Sequence, residues 1–482
     1  MKFILRKVAR GGRILRSFDY ASAMRFVSTA LRLPHLFCLT LVAALTSSSA
    51  SHGFTAAFGE RNNTSVIFIH PDGAGLGHWG LLRVHHAGPD GEIAWDRLPA
   101  MATYRPHMRD SLAPSSHSGG TVHAYGVKVP QDSFGMDGAE IPLAASGERI
   151  SIMREAQRAG RAVGIVNSGH LAEPGTACFL ASVPKRSMTV EIARQLLESK
   201  AEVILGGGEA LFLPKGVQGR HGTGRRDDGR DLIAEARAAG YTVVFTRDEL
   251  AAFPAGTTHL LGLFSEMNTF NDRSEETLRD RGLVPFPAER PTVGEMTRAA
   301  LRVLAADVDG FMLVVEEEGT DNFSNTKNAA GMLEAMRRAD EVIAIAETHR
   351  ATNPATLVLV AADSDASRPQ LVAMPESDGV IVRDRPLPAT LPDDGAALDG
   401  VDGSGTVPFL AAPDANGARL AFAVAWASYQ DGGEPILVRA AGPGSELVRG
   451  NLDNTDIYRI MYTALFGMTP DAVRAARTAP NN

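Results

Sequence analysis

The chain has 482 residues, of which 44% are hydrophobic and 6% aromatic, and it carries 48 lysines and arginines against 56 aspartates and glutamates. This length and composition are typical of a globular protein whose core is large enough to fold without disulfides. The excess of acidic residues argues against nucleic-acid binding, and the two cysteines form neither a CxxC motif nor a zinc-finger spacing.

The first 50 residues differ in composition from the rest. They contain eight basic residues and one acidic residue, and an apolar stretch at 36–45 is followed by small residues at 46–51. This order is typical of a secretory signal peptide, and the apolar part is too short for a membrane span, which needs about 20 residues. We therefore expect residues 1–50 to be a signal peptide and basic leader and residues 58–482 to be a single catalytic domain. The mature chain would have no membrane span and would be periplasmic or secreted, and the alternative is an amphipathic anchor that stays attached.

Beyond the leader, short apolar runs alternate with helical patterns. The first run, 66–69, has the composition of a buried strand. Later strand-like runs lie at 162–166, 203–205, 241–245, 310–315, 356–361 and 435–438. Helical patterns lie at 151–159, 189–199, 230–239, 292–306 and 331–348. The alternation predicts an α/β fold, a three-layer sandwich in which a large, mostly parallel central sheet has helices on both faces. Ligand sites in such folds lie beyond the carboxyl ends of the strands.

An acidic residue follows the first predicted strand. Asp72 stands at the strand end, where a buried carboxylate could hold a cation, although a loop aspartate that caps a helix is the alternative. Gly75, Gly77 and Gly80 match the GxGxxG pattern of dinucleotide sites. That motif requires an acid at the end of a second strand about 20 residues further on, and none is present, so we reject a dinucleotide site.

A serine-rich segment precedes a predicted helix start. Ser116 stands there with Ser115 and Ser118 on either side, and two glycines follow. The N–H groups of a helix N-terminus favour an alkoxide and an attached phosphate, so a serine at this place is a candidate nucleophile. A plain serine cap is the alternative, and the choice of Ser116 over its two neighbours rests on spacing.

Two later strands also end in acidic residues. The run 316–321 holds four acids, and Asp363 and Asp365 follow the strand at 356–361. Clustered carboxylates repel each other unless a cation or solvent absorbs their charge, and a solvated acidic loop is the alternative. With Asp72, three separate strands bring carboxylates to one edge of the sheet, which favours a divalent cation site.

These segments, in this order and over most of residues 64–468, resemble the alkaline phosphatase family. The matching features are Asp72-Gly73, Leu98-Pro99 with Tyr104, Ser116 five residues before Thr121 and ten before 126–128, the segment 171–177, Arg186, the motifs at 205–208 and 260–264, the Glu316 and Asp321 pair, Asp363, and 441–443.

The resemblance implies a metal-dependent phosphatase that hydrolyses phosphate monoesters of small molecules through a phosphoserine intermediate. Ser116 would be the nucleophile, and the Arg186 guanidinium would hold two phosphate oxygens. The family's usual assembly implies a homodimer. The implied metal ligands are Asp72, Glu173, Thr176, Glu316, Asp321, Asn325, Asp363, Asp365 and Asp431. Among them, Asp365 would substitute for a missing histidine, and Thr176 lies one residue out of register with the family motif.

The sequence departs from the family where histidines are usual. Asn325, Ser364 and Asp431 stand at the three matching positions, and no histidine follows His349. Imidazole ligands suit zinc, whereas carboxylate, amide and hydroxyl oxygens suit magnesium, calcium or manganese. We therefore expect magnesium at the third position, with zinc, calcium or manganese at the two catalytic positions and a preference for cations harder than zinc.

Three histidines near the site, His70, His117 and His123, are further candidates, although histidines in such places are more often structural. The same fold with a different substrate gives one alternative function, a phosphodiesterase or a phosphonate or sulfate ester hydrolase. A degenerate, non-catalytic protein that binds phosphate or cations is the other.

Overall fold

A computed structural model describes residues 63–374, 385–388, 390 and 398–478. The predicted leader, residues 1–50, lies outside the described residues. Among the helices that the structure describes, none has both the length and the apolar character needed to cross a membrane.

Strands make up the centre of the fold. In the described part of the chain they are β1 (Ser65–Pro71), β2 (Ala100–Arg105), β3 (Ala162–His170), β4 (Val203–Gly207), β5 (Thr242–Val244), β6 (Leu260–Leu263), β7 (Phe311–Glu317), β8 (Thr356–Val360), β9 (Asp365–Ala366), β10 (Pro369–Ala373), β11 (Leu398–Gly400), β12 (Gly403–Ser404), β13 (Phe409–Leu410), β14 (Ala421–Trp426), β15 (Asp431–Gly432), β16 (Ile436–Ala441) and β17 (Arg449–Asp453).

Ten of these strands form one sheet in the order β17-β2-β16-β8-β1-β7-β3-β4-β6-β5. Within this sheet only β16 runs antiparallel to its neighbours, β2 and β8. The central strand β1 is buried along its whole length, which explains its continuous apolar run, because a parallel strand has helices over both faces. The predicted large, mostly parallel sheet is confirmed.

The helices pack on the two faces of this sheet. In chain order they are α1 (Leu76–Ala87), α2 (Ser116–Tyr125), α3 (Ile152–Arg158), α4 (Pro174–Ala177), α5 (Thr189–Glu198), α6 (Leu232–Ala238), α7 (Arg247–Ala252), α8 (Glu275–Arg281), α9 (Val293–Leu304), α10 (Gly319–Asn325), α11 (Ala329–Thr352), α12 (Thr455–Phe466) and α13 (Pro470–Thr478). One group, α1, α9 and α11, packs together against β1, β7 and β8, and a second group, α2, α3, α4 and α12, covers the same strands from the other side. The predicted three-layer sandwich is confirmed.

In the part of the chain that the structure describes, two small antiparallel sheets lie outside the main sheet. One has the order β10-β14-β11-β12, with β13 also paired to β14, and the other joins β9 to β15. The β9–β15 pair places Asp431 opposite Ala366 and Gly432 opposite Asp365. This short pair therefore brings a segment from late in the chain to the residues that follow β8.

Candidate metal and phosphate site

The carboxyl ends of four neighbouring parallel strands meet at one place. In the sheet, β8, β1, β7 and β3 are adjacent, and the register sets His70 and Asn167 on either side of Glu316. Asp72 follows β1 and Asp363 follows β8, and both are buried. The convergence of acids that the sequence predicted at one sheet edge is present in the structure.

The first group of potential ligands consists of His70, Asp72 and Glu316. One ligand atom from each lies within 4.8 Å of the others, and all three side chains are buried. The His70 Nε2 atom lies 3.3 Å from Asp72 Oδ1 and 3.8 Å from Asp363 Oδ1. Asp363 therefore lies beside this group, which we call the imidazole group.

The second group consists of Asp72, Glu318 and Asp321. Their carboxylate oxygens also lie within 4.8 Å of one another, and we call it the carboxylate group. Gly73 makes this arrangement fit, because its φ of +65° favours glycine and a Cβ there would lie 2.9 Å from Asp321 Oδ1. Asp72 belongs to both groups and so joins them.

Asp431 and Asn325 flank the carboxylate group. Burial and the nearby Asp363 raise the pKa of Asp431, and its Oδ1 atom accepts no hydrogen bond from the described residues. The Asn325 amide donates to Asp321 Oδ1 at 2.9 Å and Oδ2 at 3.0 Å, while its carbonyl oxygen accepts from Ser367 Oγ at 2.8 Å. In this orientation Asn325 holds the Asp321 carboxylate in place.

Asp365, by contrast, turns its carboxylate toward the start of α1. Its Oδ1 atom lies 3.5 Å from His78 Nδ1. A Cβ at Gly75 would lie 2.5 Å from the same oxygen, so the glycine at the start of α1 leaves room for this carboxylate.

The acids of both groups are held in unfavourable surroundings. Burial, followed by repulsion from neighbouring acids, raises the pKa of Asp72, Glu318 and Asp321 well above its ordinary value. Burial likewise raises the pKa of Glu316 to about 7. Burial opposes ionisation of Asp363 too, but the His70 imidazole holds its pKa below the ordinary value.

Several of these buried carboxylate oxygens accept no hydrogen bond from any described residue. They are Asp72 Oδ2, Glu316 Oε1, Glu318 Oε2, Asp363 Oδ1 and Oδ2, and Asp431 Oδ1, and the same holds for Glu317 Oε2 and Asp365 Oδ1 nearby. A buried carboxylate without a partner is costly unless it is protonated or coordinates a metal. The donor set therefore fits divalent cations.

Ser116 is the first residue of α2 and is 5% exposed. Ser115 caps the helix by accepting from Ser118 N, and its hydroxyl donates to Gln131 O at 2.6 Å. The Ser118 hydroxyl donates to Ser115 O at 3.0 Å. Within the described residues Ser116 has no side-chain hydrogen bond, so of the three serines it has the hydroxyl that capping leaves free.

The helix that carries Ser116 packs closely on the acid after β8. A Cβ at Gly119 would lie 2.8 Å from Asp363 Oδ2, so glycine there allows α2 to approach this carboxylate. The N-terminal turn of α2 is thereby brought beside Asp363 and the imidazole group.

Arg186 and Glu173 form an ion pair beside the site. Arg186 Nη2 lies 2.7 Å from Glu173 Oε2, and His170 Nε2 lies 2.9 Å from Glu173 Oε1. Burial opposes ionisation of Glu173, but these two partners lower its pKa to about 2. The Arg186 side chain is 44% exposed, so the guanidinium is held at one edge and open to solvent.

Thr176 is linked to the imidazole group through a residue that the sequence did not single out. The Asn167 amide donates to Thr176 Oγ1 at 2.8 Å and to Glu316 Oε2 at 2.5 Å. Its carbonyl oxygen accepts from Gly169 N at 2.6 Å, which fixes the direction of the amide. Asn167 thus orients both Thr176 and Glu316.

The sequence named His70 only as a further candidate and left Glu318 out of the predicted ligand set. A signal existed for both, because His70 lies two residues before Asp72 and so shares its side of β1, and Glu318 lies in the acidic run. For Asn167 the sequence offered only its place after an apolar strand.

Comparison with known proteins decides the family. The family model described as "Alkaline phosphatase" matches residues 66–383. The chain belongs to the alkaline phosphatase family. This confirms the resemblance drawn from the sequence, and with the relatives below it makes the chain a phosphatase of this superfamily.

The relatives are similar over most of their length. The tissue-nonspecific alkaline phosphatase of Rattus norvegicus is 26% identical over 462 residues, which is 86% of this chain and 86% of the relative. The streptomycin-6-phosphate phosphatase of Streptomyces griseus is 27% identical over 468 residues, or 89% of this chain and 95% of the relative.

Solved structures agree with the fold. The alkaline phosphatase of Thermus thermophilus matches with a TM-score of 0.65 and 25% identity over 88% of this chain and 96% of that one. The alkaline phosphatase of the Antarctic bacterium TAB5 matches with a TM-score of 0.63 and 18% identity over 84% and 99%.

Proposed function

We propose that this alkaline phosphatase family member is an exported, metal-dependent hydrolase of small-molecule phosphate monoesters, with Ser116 as the nucleophile. Residues 1–50 would be its signal peptide and leader, and residues 58–482 its catalytic domain. The observation that carries the proposal is the Ser116 hydroxyl, which is free at the N-terminus of a ten-residue helix packed on Asp363.

In the proposed reaction, Ser116 Oγ loses its proton and attacks phosphorus, the bond from phosphorus to the ester oxygen breaks, and the alcohol leaves with a proton in place of the one that serine lost. Water then attacks the phosphoserine, the bond from Oγ to phosphorus breaks, a proton from the water returns to Oγ, and inorganic phosphate leaves. The backbone N–H groups in the first turn of α2 stabilise the negatively charged phosphate oxygens. Arg186, already held by Glu173, keeps N–H groups free to bind two of those oxygens.

The two ligand groups support metal dependence. When bound, divalent cations stabilise the alkoxide and the developing charge on the phosphate. Asp72, Glu316, Asp321 and Asp363 would hold them, with Asn325 and Asp431 at the carboxylate group and Thr176 beside Glu316. We propose magnesium at one position and zinc, calcium or manganese at the others.

The substrate class rests on the relatives. The Streptomyces griseus relative, by its name, acts on streptomycin-6-phosphate, a small-molecule phosphate ester, and is matched over nearly its whole length. We therefore propose small-molecule phosphate esters as substrates, and a homodimer as the assembly.

The test is hydrolysis of a chromogenic phosphate monoester at alkaline pH after metal removal and reconstitution with each cation. Wild type is compared with Ser116→Ala and with the neighbouring Ser118→Ala, and acid-quenched protein is analysed by mass spectrometry for a phosphoryl group on Ser116. We expect metal-restored turnover and a phosphoryl adduct that only Ser116→Ala abolishes. Full activity of Ser116→Ala would refute the nucleophile, and faster cleavage of a diester or sulfate ester would refute the monoester assignment.

A further inference from the structure

We infer that His70 and Glu318 are cation ligands, and that the site therefore takes two unlike cations, a zinc-type ion at the imidazole group and a magnesium-type ion at the carboxylate group. The inference rests on the metal dependence in the proposed function. It goes beyond that proposal by assigning two ligands and a different metal preference to each position.

The Nε2 atom of His70 is within hydrogen-bond distance of Asp72 and also faces a second carboxylate, an arrangement that a cation between these groups would satisfy. The two carboxylates are Asp72 at 3.3 Å and Asp363 at 3.8 Å, and the group as a whole lies within 4.8 Å. Ligand atoms about 2.0–2.5 Å from one cation lie no more than about 5 Å apart. Both oxygens of Asp363, which lies beside this group, lack a hydrogen bond from the described residues, so they are free to contribute to a cation there.

Glu318 gives the second position a different character. It is 2% exposed, and its Oε2 atom has no partner among the described residues. Gly169 makes room for it, because a Cβ there would lie 2.8 Å from Glu318 Cγ. With Asp72 and Asp321 it forms an all-oxygen donor set that contains no imidazole.

The neighbouring Glu317 is as deeply buried as Glu318 but belongs to neither ligand group. Its Oε1 atom accepts from Ser168 Oγ at 2.7 Å and from Gly319 N at 3.1 Å, while its Oε2 atom, like that of Glu318, has no partner among the described residues. Glu317 is thus bound to backbone and side-chain donors of β3 and α10. Glu318, the next residue, faces Asp72 and Asp321 instead.

The chemistry of the two donor sets predicts different ions. Imidazole with carboxylate suits zinc or cobalt, whereas carboxylates alone suit magnesium, manganese or calcium. We therefore expect the protein to bind one zinc with an imidazole ligand and, in addition, one harder cation without one.

The first arm of the test is zinc-edge X-ray absorption on protein loaded with zinc in excess magnesium. All samples carry Ser116→Ala, so that binding is read without turnover. We expect an imidazole contribution that is lost in His70→Gln and kept in His221→Gln, the control, whose imidazole contacts Phe245 O near β5. The assignment is overturned if protein that retains His70 shows no imidazole contribution at the zinc edge, or if His70→Gln leaves that contribution unchanged.

The second arm is equilibrium dialysis of zinc-loaded protein against Mn²⁺. Glu318→Gln should weaken manganese binding by about 10–100-fold, since loss of a group that shapes a metal site has effects of this order, while Glu317→Gln should leave it unchanged. Equal manganese affinity in Glu318→Gln, or equal weakening in Glu317→Gln, overturns the assignment of Glu318. A protein that binds both ions as expected but hydrolyses no monoester would refute the proposed function and leave this inference intact.

Discussion

Replacing Gly175 by alanine should displace a central carboxylate of the site. A Cβ at this position would lie 2.5 Å from the carboxylate carbon of Glu316 and 2.9 Å from its Oε2, whereas ordinary contacts begin near 3.4 Å. The Glu316 carboxylate must therefore retreat by about 1 Å, and a misplacement of that size at a reacting centre costs on the order of 100-fold in rate. Asn167 holds the same carboxylate through Oε2, so the retreat also breaks a buried hydrogen bond.

The assay combines metal-restored kcat/KM with metal affinity and thermal unfolding. For Gly175→Ala we expect a loss of about 100-fold in kcat/KM and a destabilisation of about 1–3 kcal/mol from overpacking. Gly80→Ala is the matched control, because this glycine lies inside α1 with nothing within 4 Å of a Cβ, and it should keep full activity and gain about 0.5–1 kcal/mol. Unchanged metal affinity and activity in Gly175→Ala would refute the placement of Glu316 at the cation site.

Three further predictions follow from the same geometry. The folded-state pKa of Glu316 is about 7 against an ordinary 4.5, so metal-free protein has its full stability from this group below pH 4.5 and loses it as pH rises through about 7. The melting temperature of chelator-treated protein should therefore fall across this window, and divalent cations should restore it. A melting temperature that does not change with pH would contradict the raised pKa. Arg186→Lys keeps the charge beside Glu173 but loses the two-pronged contact with phosphate, so kcat/KM should fall about tenfold or more with little change in melting temperature, and unchanged inhibition by inorganic phosphate would argue against phosphate binding there. Asn167→Ala removes the donor to Glu316 and Thr176, and should weaken metal binding about 10–100-fold in a calorimetric titration; wild-type affinity would show that Asn167 does not orient the ligands.

Much of the fold could be predicted because the central strands are buried on both faces. The apolar runs at β1, β7 and β8 need no tertiary information to be recognised, and their carboxyl ends follow from the parallel arrangement. The short strands β9 and β15 could not be predicted, because each has only two residues and their pairing joins segments far apart in sequence.

The limits of the site prediction have the same physical origin. Asp72 and Asp363 could be predicted because each directly follows an apolar run. The direction in which a side chain points could not be predicted. Asp365 turns toward α1, whereas Glu318, which is adjacent to Glu317, turns toward the site. Such choices are set by neighbours from other strands, such as Ser168 for Glu317.

The membership of Asp72 in both ligand groups has a thermodynamic consequence. If each group binds a cation, the two binding equilibria share one carboxylate and cannot be independent. By linkage, the factor by which one cation changes the affinity for the other must be the same in both directions. Titrating zinc at fixed magnesium and magnesium at fixed zinc would then close a single cycle, and the requirement for one metal in any assay would depend on how much of the other is present.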